Sequence, residues 1–227
     1  MTVVSIDEEL LIARAAGRLS APMTLLVDSH AAMNDGIAAA LHDAELASVA
    51  LFEDEAGETM SDDAVDIAMA MIDALENGSG EAAGLKSVSR PAAASAAGLA
   101  LDELMDLPAP VRDMALEAGA QWRFAAPGVR RIELVSEGNA KAELLRIEPG
   151  HGSPSHTHDG QEFTLVLTGA FADGIGRYGK GDLCAAGPET THRPIAEPGE
   201  ICIALAVTDG SLKFTGALGA VQRMLGG

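Results

Sequence analysis

The sequence predicts an α+β protein in two parts, a small helical domain followed by an antiparallel β-sandwich or barrel. Three observations carry this reading. Residues 1–76 space their apolar side chains with a helical period. Residues 77–108 turn small, polar and alanine-rich, the composition of an interdomain linker that would let the two parts separate. Residues 109–227 then break into short apolar or alternating runs punctuated by Gly and Pro, a strand pattern from Gln121 onward.

Four helices are expected in the first part. Asp7-Glu-Glu places acids at the start of a helix through Leu10, Leu11 and Ile12, and Gly17 stops it. Ser20 caps a second helix with Pro22 just inside, carrying Leu25, Leu26, Val27 and Met33 to about Gly36. A third covers roughly 37–51. Ser61-Asp-Asp opens a fourth with Val65, Ile67, Met69, Met71, Ile72 and Leu75, whose methionines are read as core. Leu101–Leu107 and Pro110–Leu116 suggest short helices before the strands. The strands expected are Trp122–Phe124, Val129–Leu134, Ala140–Ile147, Glu162–Leu167, Ala170–Asp173, Gly181–Ala186, His192–Ala196, Ile201–Val207 and Leu212–Phe214, with Arg177–Asp182 as a turn.

Charge is unevenly placed. The net charge is −19, and residues 1–81 hold 17 acidic against 2 basic residues, a balance of −15. Phosphates would repel such a module, so direct nucleic-acid binding is excluded, whereas a basic protein surface suits it. The two cysteines, Cys184 and Cys202, make no disulfide framework. No signal peptide opens the chain and no apolar run reaches membrane length, so the expectation is a cytoplasmic protein with no membrane contact.

The chemistry concentrates between Gly150 and Gly169. His156 and His158, two residues apart, share one face of an extended strand. Glu162 follows after room for a short turn, and a later strand can bring His192 to the same point. Three imidazoles and one carboxylate suit one divalent metal: Zn, Fe(II), Mn, Ni or Cu. His151, the nearest spare titrating group, reads as a loop residue.

This spacing resembles the first cupin motif. Gly150, His156-x-His158, Glu162 and Gly169 match it position by position. The second motif is partly kept: Gly181 and His192 are present, while Gly187, Glu189 and Ala196 depart from it. The resemblance implies a double-stranded β-helix, or jelly-roll barrel, which leaves open a homodimer through that domain. Over the whole chain, from Ala15-Ala-Gly-Arg-Leu-Ser and Leu25-Leu-Val-Asp-Ser-His30 to Glu162-Phe-Thr-Leu-Val-Leu-Thr-Gly-Ala-Phe, the sequence resembles the ChrR-type anti-sigma factors. That resemblance implies an anti-sigma-like helical domain that sequesters an alternative, extracytoplasmic-function-type sigma factor, with Leu25, Leu26 or Met33 supplying affinity. It also implies a zinc-loaded cupin that senses oxidative stress.

One departure stands out. The family's N-terminal zinc run has cysteines where this chain has Asn34 and Ile37, and Ser5 lies near its earlier histidine; His30 alone survives. His30 is therefore expected as a capping or surface histidine, and the helices are expected to fold without that metal. The alternative function is a metal-dependent cupin oxygenase, in which a metal would act as Lewis acid or oxygen activator.

Overall fold

The computed structural model describes residues 6–53, 57, 59–78, 102–119, 121–209 and 212–214. Ser5 and most of the expected linker lie outside the described residues.

The first three helices form where their caps dictate. In α1 (Glu8–Ala15) the Asp7 carboxylate accepts the Leu10 N–H, satisfying a first-turn donor. Helix α2 (Ala21–Ala31) starts at Ser20 with Pro22 in its first turn. It ends five residues earlier than expected, because Asn34 starts the next helix. The Asn34 Oδ1 accepts N–H bonds from Gly36 and Ile37 at the start of α3 (Asp35–Glu53). Arg14 closes α1 onto α2 through a two-pronged pair with Asp28, at 2.7 and 3.0 Å.

Helix α4 (Ala64–Gly78) behaves differently from the sequence expectation. Val65, Ile67, Met69, Met71 and Ile72 are exposed rather than core, and no other described element packs extensively on it. An amphipathic stripe records only that a helix covers something apolar, not whether the partner lies in the same chain.

Leu25, Leu26 and Val27 on α2 are buried in the core that α2 shares with its neighbouring helices and the sheet, so the first two cannot supply a docking face; Met33 is also partly buried against this core. Helix α5 (Ala109–Glu117) joins the same layer. The end of the expected linker joins it too. Residues 102–105 form a helical turn, Leu104 and Leu107 are buried, and Glu103 holds Arg146 through paired bonds of 2.9–3.2 Å.

The strands are β1 (Arg123–Ala126), β2 (Val129–Glu137), β3 (Ala140–Ile147), β4 (His156–His158), β5 (Gln161–Thr168), β6 (Ala170–Ala172), β7 (Arg177–Gly179), β8 (Leu183–Ala186), β9 (Ile195–Ala196), β10 (Cys202–Asp209) and β11 (Leu212–Phe214). The expected turn at Arg177 contains β7, with Tyr178 buried against Phe171. One six-stranded sheet runs β1-β2-β3-β10-β5-β8; β7-β6-β9 and β11-β4 form two smaller sheets. All the described pairs are antiparallel.

Strand β10 shows how the layers stack. Every residue from Cys202 to Thr208 is buried, so both of its faces are covered. Ile203, Leu205 and Val207 join Leu144, Leu165, Leu26 and Val111 in the core beneath the helices. The alternate residues face the opposite way, where Cys202 packs with Val166 and Phe171. In register with β10, Thr208 pairs with Glu162 and Ala206 with Thr164, so Glu162 is carried to the inner face. Gly169 makes the turn from β5 to β6 at φ +68°, and a Cβ there would lie 2.5 Å from the Ile201 carbonyl oxygen.

Candidate metal centre

Strand β4 has the burial pattern in–out–in: His156 and His158 face inward and Thr157 faces out. The Thr157 hydroxyl donates to the Pro188 carbonyl at 2.7 Å, tying β4 to the loop that departs from the second cupin motif. His192 arrives by backbone pairing. Its N–H donates to the His156 carbonyl at 3.0 Å, and the His156 N–H donates to the His192 carbonyl at 3.1 Å. The sequence separation of these two histidines is thus closed by a β-bridge. Beside it, Gly152 runs so close to Pro194 that a Cβ would meet its carbonyl oxygen at 2.0 Å.

All four sequence-predicted residues come together. The Nε2 of His192 lies 3.0 Å from that of His156 and 3.2 Å from that of His158. Glu162 Oε2 contacts His158 Nε2 and stands 3.4 Å from His192 Nε2 and 3.8 Å from His156 Nε2. All four residues are at least nine-tenths buried. His151, by contrast, is an exposed loop residue, with its Nδ1 3.1 Å from the Pro149 carbonyl.

The proton arrangement makes these residues fit a cation. His156 Nδ1 lies 2.7 Å from the Pro154 carbonyl, which can only accept, so that nitrogen carries the proton and Nε2 presents a lone pair. The His192 Nε2 lies about 3 Å from both other Nε2 atoms, and three lone pairs converging there would repel one another without a positive centre among them. Glu162 Oε2 is buried with no ordinary hydrogen-bond partner among the described residues, a costly state unless a cation compensates it. Burial pushes the Glu162 carboxyl up, but the surrounding His156, His158 and His192 outweigh it and hold it far below the usual carboxylate range. With no cation in the cluster, burial opposes charge on His192 while Cys184 and Glu162 raise its proton affinity, so a bound metal would take the place of that proton. This is a buried His/Glu cluster that could hold a metal ion.

A cavity of about 230 Å³ adjoins the cluster, lined by Glu162 and His192 and continuing past Thr164, Phe171 and Thr208 towards Arg131.

Sequence reasoning missed Asp173. It is 5% exposed, and its carboxylate lies behind His192. Only the Asp-Gly-Ile-Gly turn composition hinted at it. The two cysteines are free and buried, as expected from their number.

His30 is buried, not a surface or capping residue. It faces the Gly181 backbone and Asp182 of the turn between β7 and β8, and burial lowers its proton affinity despite both neighbours. Asn34 caps α3 and Ile37 lies in the core, so both positions of the family's cysteines are in structural use.

The model for the ChrR cupin-like domain matches residues 112–212. The anti-sigma-E factor ChrR of Cereibacter sphaeroides is 36% identical over 216 residues, which is 94% of this chain and 92% of that protein. The structure of Rhodobacter sphaeroides SigE in complex with the anti-sigma ChrR aligns over 90% of this chain and 97% of the matched chain, with 32% identity and a TM-score of 0.67. The described residues contain no helix long and apolar enough to cross a membrane. By the extent of these matches, the chain belongs to the ChrR family of anti-sigma factors.

Proposed function

We propose that this protein is an anti-sigma factor that sequesters an alternative, extracytoplasmic-function-type sigma factor and is controlled by a metal-bound cupin barrel. The observation that carries the reading is the free apolar face of α4. Val65, Met69 and Ile72 recur at helical spacing, all exposed, in a family whose relative was solved gripping SigE. Exposed apolar side chains in such a row mark a docking surface. Asp62, Asp63, Asp66 and Asp73 flank the row and are exposed. They would steer a basic partner and make association salt-sensitive, while the apolar residues supply most of the affinity.

In the organisation proposed, residues 1–76 form the sigma-binding part, 77–108 a connector whose end docks on the barrel through Glu103, Leu104 and Leu107, and 109–227 the sensor. His156, His158, Glu162 and His192 would hold one divalent metal, zinc in the first instance, with Fe, Mn and Ni compatible with the same donors. The metal would supply a positive charge that joins β4, β5 and the loop of His192, and a Lewis-acid position beside the adjoining cavity. The chain's own residues pin the His156 tautomer, keep Glu162 ionised and shield the centre from bulk water. The reading favours a regulator acting in the cytoplasm over an oxygenase.

The test is run-off transcription with purified core polymerase and each extracytoplasmic-function sigma factor of the host. The full-length protein should silence one sigma-dependent promoter at near-equimolar amounts and leave the housekeeping promoter active. Silencing of neither, with turnover of a diketone or thiol substrate instead, would make the oxygenase the better account.

A further inference from the structure

We propose that Asp173 is a positioning residue that fixes His192 in the tautomer needed at the metal centre. This rests on the metal reading above. Asp173 follows β6, and the two oxygens of its buried carboxylate have different tasks. Oδ1 accepts the backbone N–H groups of Ile175 and Gly176, both at 2.8 Å, and so builds the turn into β7. Oδ2 lies 3.5 Å from His192 Nδ1, with the Cys184 thiol 3.9 Å away on the same oxygen.

A buried carboxylate needs compensation. Among the described residues His192 is the only ion-pair neighbour of Asp173, and no Arg or Lys reaches it. His192 Nδ1 in turn makes no hydrogen bond among those residues, and Asp173 Oδ2 at 3.5 Å is its charged neighbour on that side. Placing the proton on Nδ1 serves both groups: the N–H lies on the side of Oδ2, close enough for a small ring adjustment to pair them, and Nε2 is left with its lone pair on the side of His156, His158 and Glu162. A carboxylate behind a metal-binding imidazole orients the ring and raises its basicity, and removing such a partner typically weakens metal binding by about 10- to 100-fold. The Asp173 main chain is tied to the same segment, since its carbonyl accepts the Arg193 N–H at 3.4 Å.

Asp173→Asn separates the two tasks of this side chain. The amide oxygen can stay with the Ile175 and Gly176 N–H groups, and the NH₂ then faces His192 Nδ1. A donor there forces the proton onto Nε2, where it blocks coordination. In chelator competition with zinc, the full-length D173N protein should bind about 10- to 100-fold more weakly than wild type, with its melting temperature without metal little changed. In a His192→Ala background the same substitution should have no further effect, because the ring it acts through is gone. A merely structural role would instead add in full to the loss from His192→Ala and would overturn the proposal, as would unchanged affinity in D173N. A wild-type measurement covers the case in which the variant fails to fold. The Co(II)-loaded protein should show a slowly exchanging, paramagnetically shifted imidazole N–H that disappears in His192→Ala; its absence from wild type counts against the proposal. Two metals per wild-type chain would mean that Nδ1 is itself a ligand, and the proposal falls. A wild-type chain that takes up no metal sinks the metal reading and this inference together, whereas equal binding by wild type and D173N sinks only this inference.

Discussion

Truncating the α4 row separates docking from folding. Met69 and Ile72 are 53% and 48% exposed, three residues apart on one helix face. Full burial of such a side chain is worth about 1.5–3 kcal/mol. About half of each remains to be covered, so docking would gain about 0.7–1.5 kcal/mol per residue, on that same scale. The double variant Met69→Ala/Ile72→Ala should therefore lose about 1.5–3 kcal/mol of sigma binding, roughly 10- to 150-fold in Kd. Its thermal stability should hold, because no other described element packs extensively on α4 and alanine is a good helix former. The assay is calorimetric titration with the cognate sigma factor, paired with thermal denaturation. Leu26→Ala is the contrast: that side chain is 0% exposed beneath the sheet and should lose about 2–5 kcal/mol of stability. Wild-type affinity in the double variant, or a stability loss matching Leu26→Ala, would refute the assignment of α4.

Other outcomes follow from the same geometry. His156→Ala/His158→Ala should abolish metal uptake, and elemental analysis finding metal retained in that pair would overturn the ligand set. Burial pushes the Cys202 thiol up to about 12 and Cys184 is also buried, so neither should react with a thiol reagent at pH 8 until denaturant is added. Rapid labelling of the native protein would contradict their burial. His30 is held neutral by burial, with its folded pKa below the usual 6.5. The unfolded chain then binds the proton more readily, so the contribution of His30 is complete above about pH 6.5 and declines as the pH falls towards the folded value. The melting-temperature advantage of wild type over His30→Gln should accordingly shrink between pH 7.5 and pH 5.5. A constant difference across that range would show that His30 does not titrate with unfolding.

Much of this architecture is legible in the sequence because single patterns have single physical solutions. A run such as Cys202–Val207, apolar at every position, suits a strand covered on both faces, and β10 is one. His156 and His158 at a spacing of two must share a strand face. Other patterns have two solutions. The stripe of Val65, Met69 and Ile72 reads the same whether it packs inward or waits for a partner, and only the fold around it shows that it is exposed. Leu25, Leu26 and Val27 are consecutive, which one-sided burial cannot explain; α2 buries them all because α3 and the sheet cover different sides. Asn34 and Ile37 are readable as lost thiolates, but their new tasks, a helix cap and a core side chain, need the neighbouring elements in place. Asp173 carried only the ordinary turn signal of an aspartate before Gly-Ile-Gly, and its approach to His192 needs β6 and β9 paired in place.

Native mass spectrometry of the full-length protein, co-expressed with the extracytoplasmic-function sigma factors of its host, tests the central claim most directly. The account predicts a complex of one chain with one sigma factor, carrying one divalent metal ion that is missing from the His156→Ala/His158→Ala protein. A chain that carries its metal but emerges free of every sigma factor at low salt would contradict it.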